Sequence, residues 1–255
     1  PKLSDGQRGY LTFRDVSFYF PGAKEPAVSH VSFEAKPGET TAIIGSTGSG
    51  KTALVGLIPR FYDVQEGEVL VDGVNVKDYD RGTLRRKIGY VPQKALLFKG
   101  TIMENIRFGD DSASDERVRE AAAIAQSTDF IVDKPDGFDS SIAQGGSNVS
   151  GGQRQRLAIA RAIVRKPEIY VFDDSFSALD FKTDSALRQA LSKETGNATV
   201  VIVAQRVSTI MNADRIIVMD EGKVMGIGTH RELLNTCETY QEIVRSQLSE
   251  EEMSA

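Results

Sequence analysis

The chain has 255 residues, 40% hydrophobic and 26% charged, which is enough apolar material for one large domain with a buried core. Its net charge of −5 gives no electrostatic case for a nucleic-acid partner. The longest apolar run, Ala198 to Ala204, is far shorter than the ~20 residues that span a bilayer. The single cysteine, Cys237, excludes an internal disulfide and fits a reducing compartment. These features predict a soluble globular domain.

Hydrophobic patterning divides the chain into alternating strands and helices. Polar residues 1–9 predict a linker, and residues 249–255 predict a flexible acidic tail. The predicted strands are 10–20, 27–35, 40–45, 68–72, 88–91, 169–172, 199–204 and 215–219. The predicted helices are 52–60, 114–125, 154–165 and 232–248. This rhythm predicts an α/β fold with a mostly parallel sheet covered on both faces.

A glycine-rich segment joins the predicted strand 40–45 to the predicted helix 52–60. It matches the P-loop pattern, and its residues are Gly45, Ser46, Thr47, Gly48, Ser49, Gly50, Lys51 and Thr52. The glycines allow backbone N–H groups to wrap a phosphate at the positive end of a helix. Lys51 offers a cation to the outer phosphates, and the Thr52 hydroxyl is a candidate Mg²⁺ ligand. The strand–loop–helix context favours nucleotide binding over an ordinary glycine-rich turn.

A P-loop requires a second acidic element to position Mg²⁺, and Asp173 follows the apolar strand 169–172. An aspartate after a strand is by itself usually a turn former or a helix cap. In combination with the P-loop, Asp173 is interpreted as a Mg²⁺ partner.

A second candidate anion site precedes the predicted basic helix 154–165. Ser150 and the two glycines after it place a hydroxyl and free backbone N–H groups at a helix N-terminus. A simple N-cap role would also explain Ser150. The segment nevertheless resembles the signature motif of ATP-binding cassette (ABC) proteins, usually Leu-Ser-Gly-Gly-Gln. Its residues here are Val149, Ser150, Gly151, Gly152 and Gln153.

Further motifs fall in the order of that family over almost the whole chain. Gln93 resembles the Q-loop glutamine, which implies contacts with Mg²⁺ and the attacking water. Residues 177–180 resemble the D-loop, and residues 96–106 resemble the segment that receives the coupling helices of exporters. Phe20 stands where the family usually has a tyrosine that stacks on adenine. An aromatic ring suits this role, and core packing is the alternative.

The resemblance implies a RecA-like P-loop NTPase core with an N-terminal antiparallel β-subdomain and an inserted α-helical subdomain at roughly 94–165. The nucleotide-binding domain would span 10–248. Two such domains would sandwich two ATP molecules head to tail, each signature reaching the γ-phosphate bound to the opposite P-loop. The implied partners are a transmembrane domain, on the same full-length chain, and a second nucleotide-binding domain. The implied location is the cytoplasmic face of the cell membrane.

Two departures from the family lie where water attacks the γ-phosphate. Asp174 replaces a glutamate that polarises the water, and Gln205 replaces a histidine in the switch region. Asp174 and Gln205, with Gln93 and Lys51, are the candidate catalytic residues. The combination resembles the degenerate-site subunit of bacterial heterodimeric multidrug exporters, which implies a non-identical partner. A homodimeric exporter with two weak sites and an ABC ATPase without a transport role are the alternatives.

Overall fold

The computed structural model describes the backbone of residues 8–254 and the side chains of residues 8–248. Its strands are β1 (Leu11–Phe18), β2 (Val28–Ala35), β3 (Thr40–Gly45), β4 (Glu66–Val71), β5 (Val74–Asn75), β6 (Ile88–Val91), β7 (Gly100–Thr101), β8 (Ser141–Ile142), β9 (Ile169–Asp173), β10 (Thr199–Ala204), β11 (Arg215–Asp220) and β12 (Lys223–Gly228). Its α-helices are α1 (Lys51–Gly56), α2 (Arg81–Arg86), α3 (Ile102–Arg107), α4 (Asp115–Ile124), α5 (Thr128–Val132), α6 (Gly151–Val164), α7 (Phe181–Glu194), α8 (Val207–Ile210), α9 (His230–Thr236) and α10 (Glu238–Ser254).

The main sheet has six strands in the order β12-β11-β3-β10-β9-β6, and all except β12 are parallel. The carboxyl ends of β3, β10, β9 and β6 therefore meet at one edge. This is the edge where ligands bind in open α/β sheets. The P-loop and the candidates Gln93, Asp173, Asp174 and Gln205 lie at the carboxyl ends of these four neighbouring strands.

A second sheet of four antiparallel strands, in the order β2-β1-β4-β5, packs over one face of the main sheet. Alternation along the central strands explains how the two faces are filled, because successive side chains of a strand point to opposite sides. On β3, Ile43 joins the core beneath the antiparallel sheet, whereas Ala42 and Ile44 join the core on the opposite face. The main sheet is thus buried on both faces, as the near-continuous apolar strands predict.

The opposite core is covered mainly by helices. Four of these helices, α3 to α6, lie in the chain between β6 and β9, and α6 contacts both α3 and α4. The two-stranded sheet β7-β8 lies within the same stretch. The buried side of α6 is formed by residues such as Leu157, Ala160 and Ile163.

The structure corrects two predictions of secondary structure and adds elements that the sequence did not predict. The helix predicted at 52–60 begins at Lys51 and ends at Gly56, because tighter i→i−3 bonds follow and Pro59 has no N–H to continue it. The helix predicted at 232–248 is two helices, α9 and α10, separated at Cys237, whose backbone is extended. The unpredicted elements include strand β12 and helices α2, α7 and α8.

The ends of the chain bear on the predicted linker and tail. Residues 1–7 of the predicted linker lie outside the described residues, but Gly9 is buried and its N–H donates a 2.7 Å hydrogen bond to Asp72. Helix α10 runs past Leu248 to Ser254, while the side chains of the predicted tail lie outside the described residues. Among residues 8–254, we find no helix with the length and apolar character to cross a bilayer.

Candidate nucleotide-binding site

The loop between β3 and α1 is shaped by glycines with positive φ. Gly50 has φ 97°, and a Cβ there would lie 2.2 Å from the carbonyl oxygen of Ala27, so only glycine fits. Gly48 has φ 78°, and a Cβ there would meet no atom within 4 Å. The loop is therefore packed against the protein at Gly50 and open at Gly48. An open cradle of this kind suits a ligand that approaches the backbone closely.

The loop forms one wall of a cavity of about 800 Å³. Eleven of the predicted site residues line it: Phe20, Thr47, Gly48, Ser49, Gly50, Lys51, Thr52, Gln93, Asp173, Asp174 and Gln205. Gly45 and Ser46 do not line it, but they form the start of the loop beneath it. The cavity is therefore large enough, and lined by suitable groups, for a nucleotide.

Lys51 is 8% exposed, and its ammonium group lies across the loop. It donates hydrogen bonds to the carbonyl oxygens of Gly45 and Ser46, the latter at 2.8 Å. Burial lowers the pKa of Lys51, while the nearby carboxylates of Asp174 and Asp173 act in the opposite direction. A buried ammonium group beside this open loop can replace its hydrogen bonds to neutral carbonyl oxygens with stronger ones to the anionic oxygens of a bound phosphate.

Asp173, at the end of β9, is 3% exposed. Its two carboxylate oxygens accept hydrogen bonds of 3.3 Å, one from the hydroxyl of Thr52 and one from that of Tyr90. Burial raises the pKa of Asp173, and both hydrogen bonds oppose the rise. Sequence reasoning missed Tyr90, although it lies on β6 only three residues before Gln93.

Three of the residues that line the cavity are suitable Mg²⁺ ligands. Thr52, Asp173 and Gln93 offer hydroxyl, carboxylate and amide oxygens, which are the hard donors that Mg²⁺ prefers. Across the described part of the chain, no cluster of three or more His, Cys, Asp or Glu side chains could hold a metal alone. That suits Mg²⁺, which binds one or two carboxylates together with substrate phosphates rather than an all-protein cage.

Asp174 adopts the left-handed conformation with φ 50°, which aspartate tolerates better than most residues. Its N–H donates a 2.8 Å hydrogen bond to the carbonyl oxygen of Val203 on β10. Burial raises the pKa of Asp174, and the neighbouring Asp173 charge raises it further. Gln205 follows β10, and its exposed side chain lines the same cavity.

Two aromatic side chains, Phe20 and Tyr62, also line the cavity. Phe20 is 41% exposed, and its ring lies 5.4 Å from that of Tyr62 in an edge-to-face arrangement. This exposure favours a ligand-stacking face over the core-packing alternative for Phe20. Sequence reasoning missed Tyr62, whose only signal was a pair of aromatic residues shortly after the P-loop helix.

The hairpin between β11 and β12 supplies further cavity residues that the sequence did not reveal. Glu221 and Gly222 both have positive φ, as in a two-residue type I′ turn. The N–H of Gly222 donates a 2.9 Å hydrogen bond to the carbonyl oxygen of Ser49, which ties the hairpin to the P-loop. Residues 220–222, Asp-Glu-Gly, were the available turn signal.

The signature residues Val149, Ser150, Gly151, Gly152 and Gln153 do not line this cavity. Ser150 caps α6: its hydroxyl accepts from the N–H of Gln153, whose side chain accepts from the N–H of Ser150, both at 3.1 Å. Ser150 and Gly151 are exposed, and a Cβ on Gly151 would meet no atom within 4 Å. The signature is therefore a separate, outward-facing helix N-terminus.

A parallel sheet with a glycine-rich phosphate loop after β3 and an acidic residue at the end of β9 defines a P-loop NTPase fold. A sequence profile described as ABC transporter matches residues 28–177, and the chain belongs to the ABC transporter family.

Three similar proteins illustrate the relationship. An uncharacterized ABC transporter ATP-binding protein of Mycobacterium tuberculosis is 48% identical over 97% of this chain and 43% of its own length. A Staphylococcus aureus protein named as a multidrug export ATP-binding/permease protein is 41% identical over 93% of this chain and 41% of its own. The structure of a bacterial Atm1-family ABC exporter with ATP bound superposes with a TM-score of 0.91 at 36% identity, covering 97% of this chain and 43% of that chain. The chain thus spans less than half the length of these relatives.

Proposed function

We propose that this domain binds MgATP and powers export by a membrane ABC transporter through head-to-tail pairing with a second nucleotide-binding domain. The ATP-bound exporter structure and the relative named for multidrug export support the exporter assignment. Both are more than twice as long as this chain, which fits a nucleotide-binding domain joined to a transmembrane domain. The transporter as a whole would place this domain at the cytoplasmic face of the membrane.

In this proposal the cavity beside the P-loop binds ATP. The ring of Phe20 stacks against the base, the nearly perpendicular ring of Tyr62 lies beside it, and the loop with Lys51 binds the phosphates. Thr52, Asp173 and Gln93 would hold Mg²⁺, which neutralises phosphate charge when bound. Gln93 and Asp174 face the position of the attacking water.

We propose further that this domain's own site is degenerate and hydrolyses ATP slowly. The observation that carries this is the presence of Asp174 and Gln205 together in the cavity. A carboxylate one methylene shorter than glutamate lies roughly 1 Å from the productive position, an error that can cost on the order of 100-fold in rate. Glutamine donates a hydrogen bond to phosphate, but it cannot become a cation or pass a proton as imidazole can.

The outward-facing signature has a different role in the proposal. Ser150 and Gly151 lie outside the domain's own nucleotide cavity and are free to approach a second domain. There the hydroxyl and the helix N-terminus stabilise the γ-phosphate on the partner's P-loop. The partner would be a non-identical subunit whose own catalytic residues are intact.

The test restores the missing groups. In the assembled transporter, Asp174→Glu combined with Gln205→His is expected to raise ATP hydrolysis at this subunit's own site. The rates at the two sites are measured separately with ATP labelled on its γ-phosphate, as the loss of label from the nucleotide that is trapped on each subunit. An unchanged rate at this site, with the partner's signature intact, would contradict the degenerate-site assignment.

A further inference from the structure

One side chain on the last helix holds the backbone on both sides of Arg206. The carboxamide of Gln247 donates a 2.6 Å hydrogen bond from Nε2 to the carbonyl oxygen of Gln205. Its Oε1 accepts a 2.8 Å hydrogen bond from the N–H of Val207. Both groups of one amide are used, and the reverse orientation would place donor against donor and acceptor against acceptor. The orientation of Gln247 is therefore fixed by its two partners.

The switch segment, residues 203–209, needs such a partner because of how α8 begins. This helix is only four residues long, and Arg206 at its N-cap makes no side-chain capping bond. The N–H of Val207 is therefore one of the amides that a helix start leaves without an internal partner. Val207 is also buried, so its N–H lacks ready access to water. Gln247 supplies the missing acceptor from 40 residues further along the chain.

Helix α10 is itself well anchored, so it can act as a fixed support. Tyr240 is fully buried and its hydroxyl hydrogen-bonds the ring of His230. Ile243 and Val244 pack against the main helical core. Gln247 follows about one helical turn after Ile243, at the point where α10 passes α8.

We propose that Gln247 is a positioning residue that aims the side chain of Gln205 into the nucleotide cavity and thereby sets how strongly the site prefers ATP over ADP. The inference rests on the proposed function, in which Gln205 donates to the γ-phosphate. Since ADP lacks that phosphate, a mispositioned Gln205 weakens ATP binding and leaves ADP binding unchanged. Helix α10 is then part of the switch rather than only a cover for the core.

The experiment uses the full-length assembled transporter, kept cold in the presence of Mg²⁺. An azido-ATP analogue photolabels this subunit, and the concentrations of ATP and of ADP that compete with the labelling give the preference for ATP over ADP. Gln205→Ala defines the loss of the γ-phosphate contact, for which we expect about a tenfold fall in ATP-over-ADP preference. Gln247→Met keeps side-chain length and helix propensity but removes both hydrogen bonds, and we expect a several-fold fall. The double variant is expected to match Gln205→Ala alone, because both changes remove the same contact.

Gln241→Met is the matched control. Gln241 lies on the same helix, and its amide also donates to a backbone carbonyl, that of Leu234 at 2.7 Å, but it does not touch the switch. This variant is expected to retain the wild-type preference. Hydrogen exchange of the Val207 amide gives a readout without nucleotide. It is expected to accelerate in Gln247→Met and not in Gln241→Met, while the amides of β3 and β10 stay protected.

The outcomes separate this inference from the proposed function. A reduced preference in Gln205→Ala, with wild-type preference in Gln247→Met, would overturn the positioning role and leave the proposed site intact. Unchanged preference in Gln205→Ala would overturn the γ-phosphate contact itself, and the inference with it. Unaltered exchange of the Val207 amide in Gln247→Met would show that the hydrogen bond between Gln247 and Val207 is not formed in solution.

Discussion

The side-chain amide of Gln93 donates a 3.1 Å hydrogen bond to the carboxylate of Asp174. These residues follow β6 and β9, which are neighbours in the main sheet, so the sheet itself brings them together. The N–H of Asp174 is also bound to the carbonyl oxygen of Val203, so its backbone is fixed to β10. Asp174 thus lies in a defined position beside the P-loop. Because its backbone is fixed, a simple backbone shift cannot make up for the methylene that its side chain lacks relative to glutamate.

Lys51→Ala is expected to weaken MgATP binding roughly tenfold or more, because a charge-assisted contact is worth about 1.5–3 kcal/mol. Calorimetric titration of the purified domain measures the change. Lys193→Ala, at an exposed position of α7, is the control and is expected to bind like the wild type. Equal affinities for all three proteins would remove the P-loop assignment.

Phe20→Leu is expected to weaken ATP binding while leaving inorganic tripolyphosphate binding unchanged. Stacking of a base on an aromatic ring is worth about 1–3 kcal/mol, and tripolyphosphate has no base. Phe20→Tyr keeps the ring and is expected to bind both ligands normally. If Phe20→Leu instead lowers the melting temperature without altering affinity for ATP, the ring serves packing with Phe18 and Tyr62 rather than ligand binding.

Much of this site follows from the sequence, and what does not has a physical reason. The P-loop and Asp173 are local patterns at strand ends, so their placement at one sheet edge is predicted once the strands are recognised. Tyr62 lines the cavity, Tyr90 contacts Asp173, and Gln247 contacts the backbone of Gln205, all through tertiary packing. The weak local signals of Tyr62 and Tyr90 do not specify these contacts, and Gln247 has none. Strand β12 contains two glycines among its six residues and so gives a weak strand signal. Helix α7, in contrast, had a usable cap in Asp180, which accepts a hydrogen bond from the N–H of Thr183.

The isolated chain is expected to hydrolyse ATP feebly and to dimerise weakly. A self-pair contains two sites with Asp174 and Gln205, and no membrane domain raises the local concentration of the second copy. Steady-state phosphate release and sedimentation with ATP check both points. Vigorous turnover by the chain alone, abolished by Lys51→Ala to exclude contaminating ATPases, would contradict the degenerate site.

Ser150→Ala is expected to lower the free energy of unfolding by about 1 kcal/mol, because it removes the N-cap of α6. Ser114→Ala provides a matched loss, since Ser114 caps α4 by accepting a 3.1 Å hydrogen bond from the N–H of Arg117. Denaturant titration compares the two. Similar destabilisation would establish Ser114→Ala as the control for any further effect of Ser150→Ala.

The most direct test of the asymmetric assignment is the ATPase rate of the assembled transporter carrying Ser150→Ala, Asp174→Asn or Ser114→Ala. Ser150→Ala is expected to reduce the rate ~100-fold or more, because it removes a preorganised donor from the partner's competent site. Asp174→Asn is expected to change the rate far less, since its own site contributes little turnover, and Ser114→Ala is expected to leave it near wild type. Equal losses for Ser150→Ala and Asp174→Asn would mean two equivalent sites, and would contradict the degenerate-subunit account.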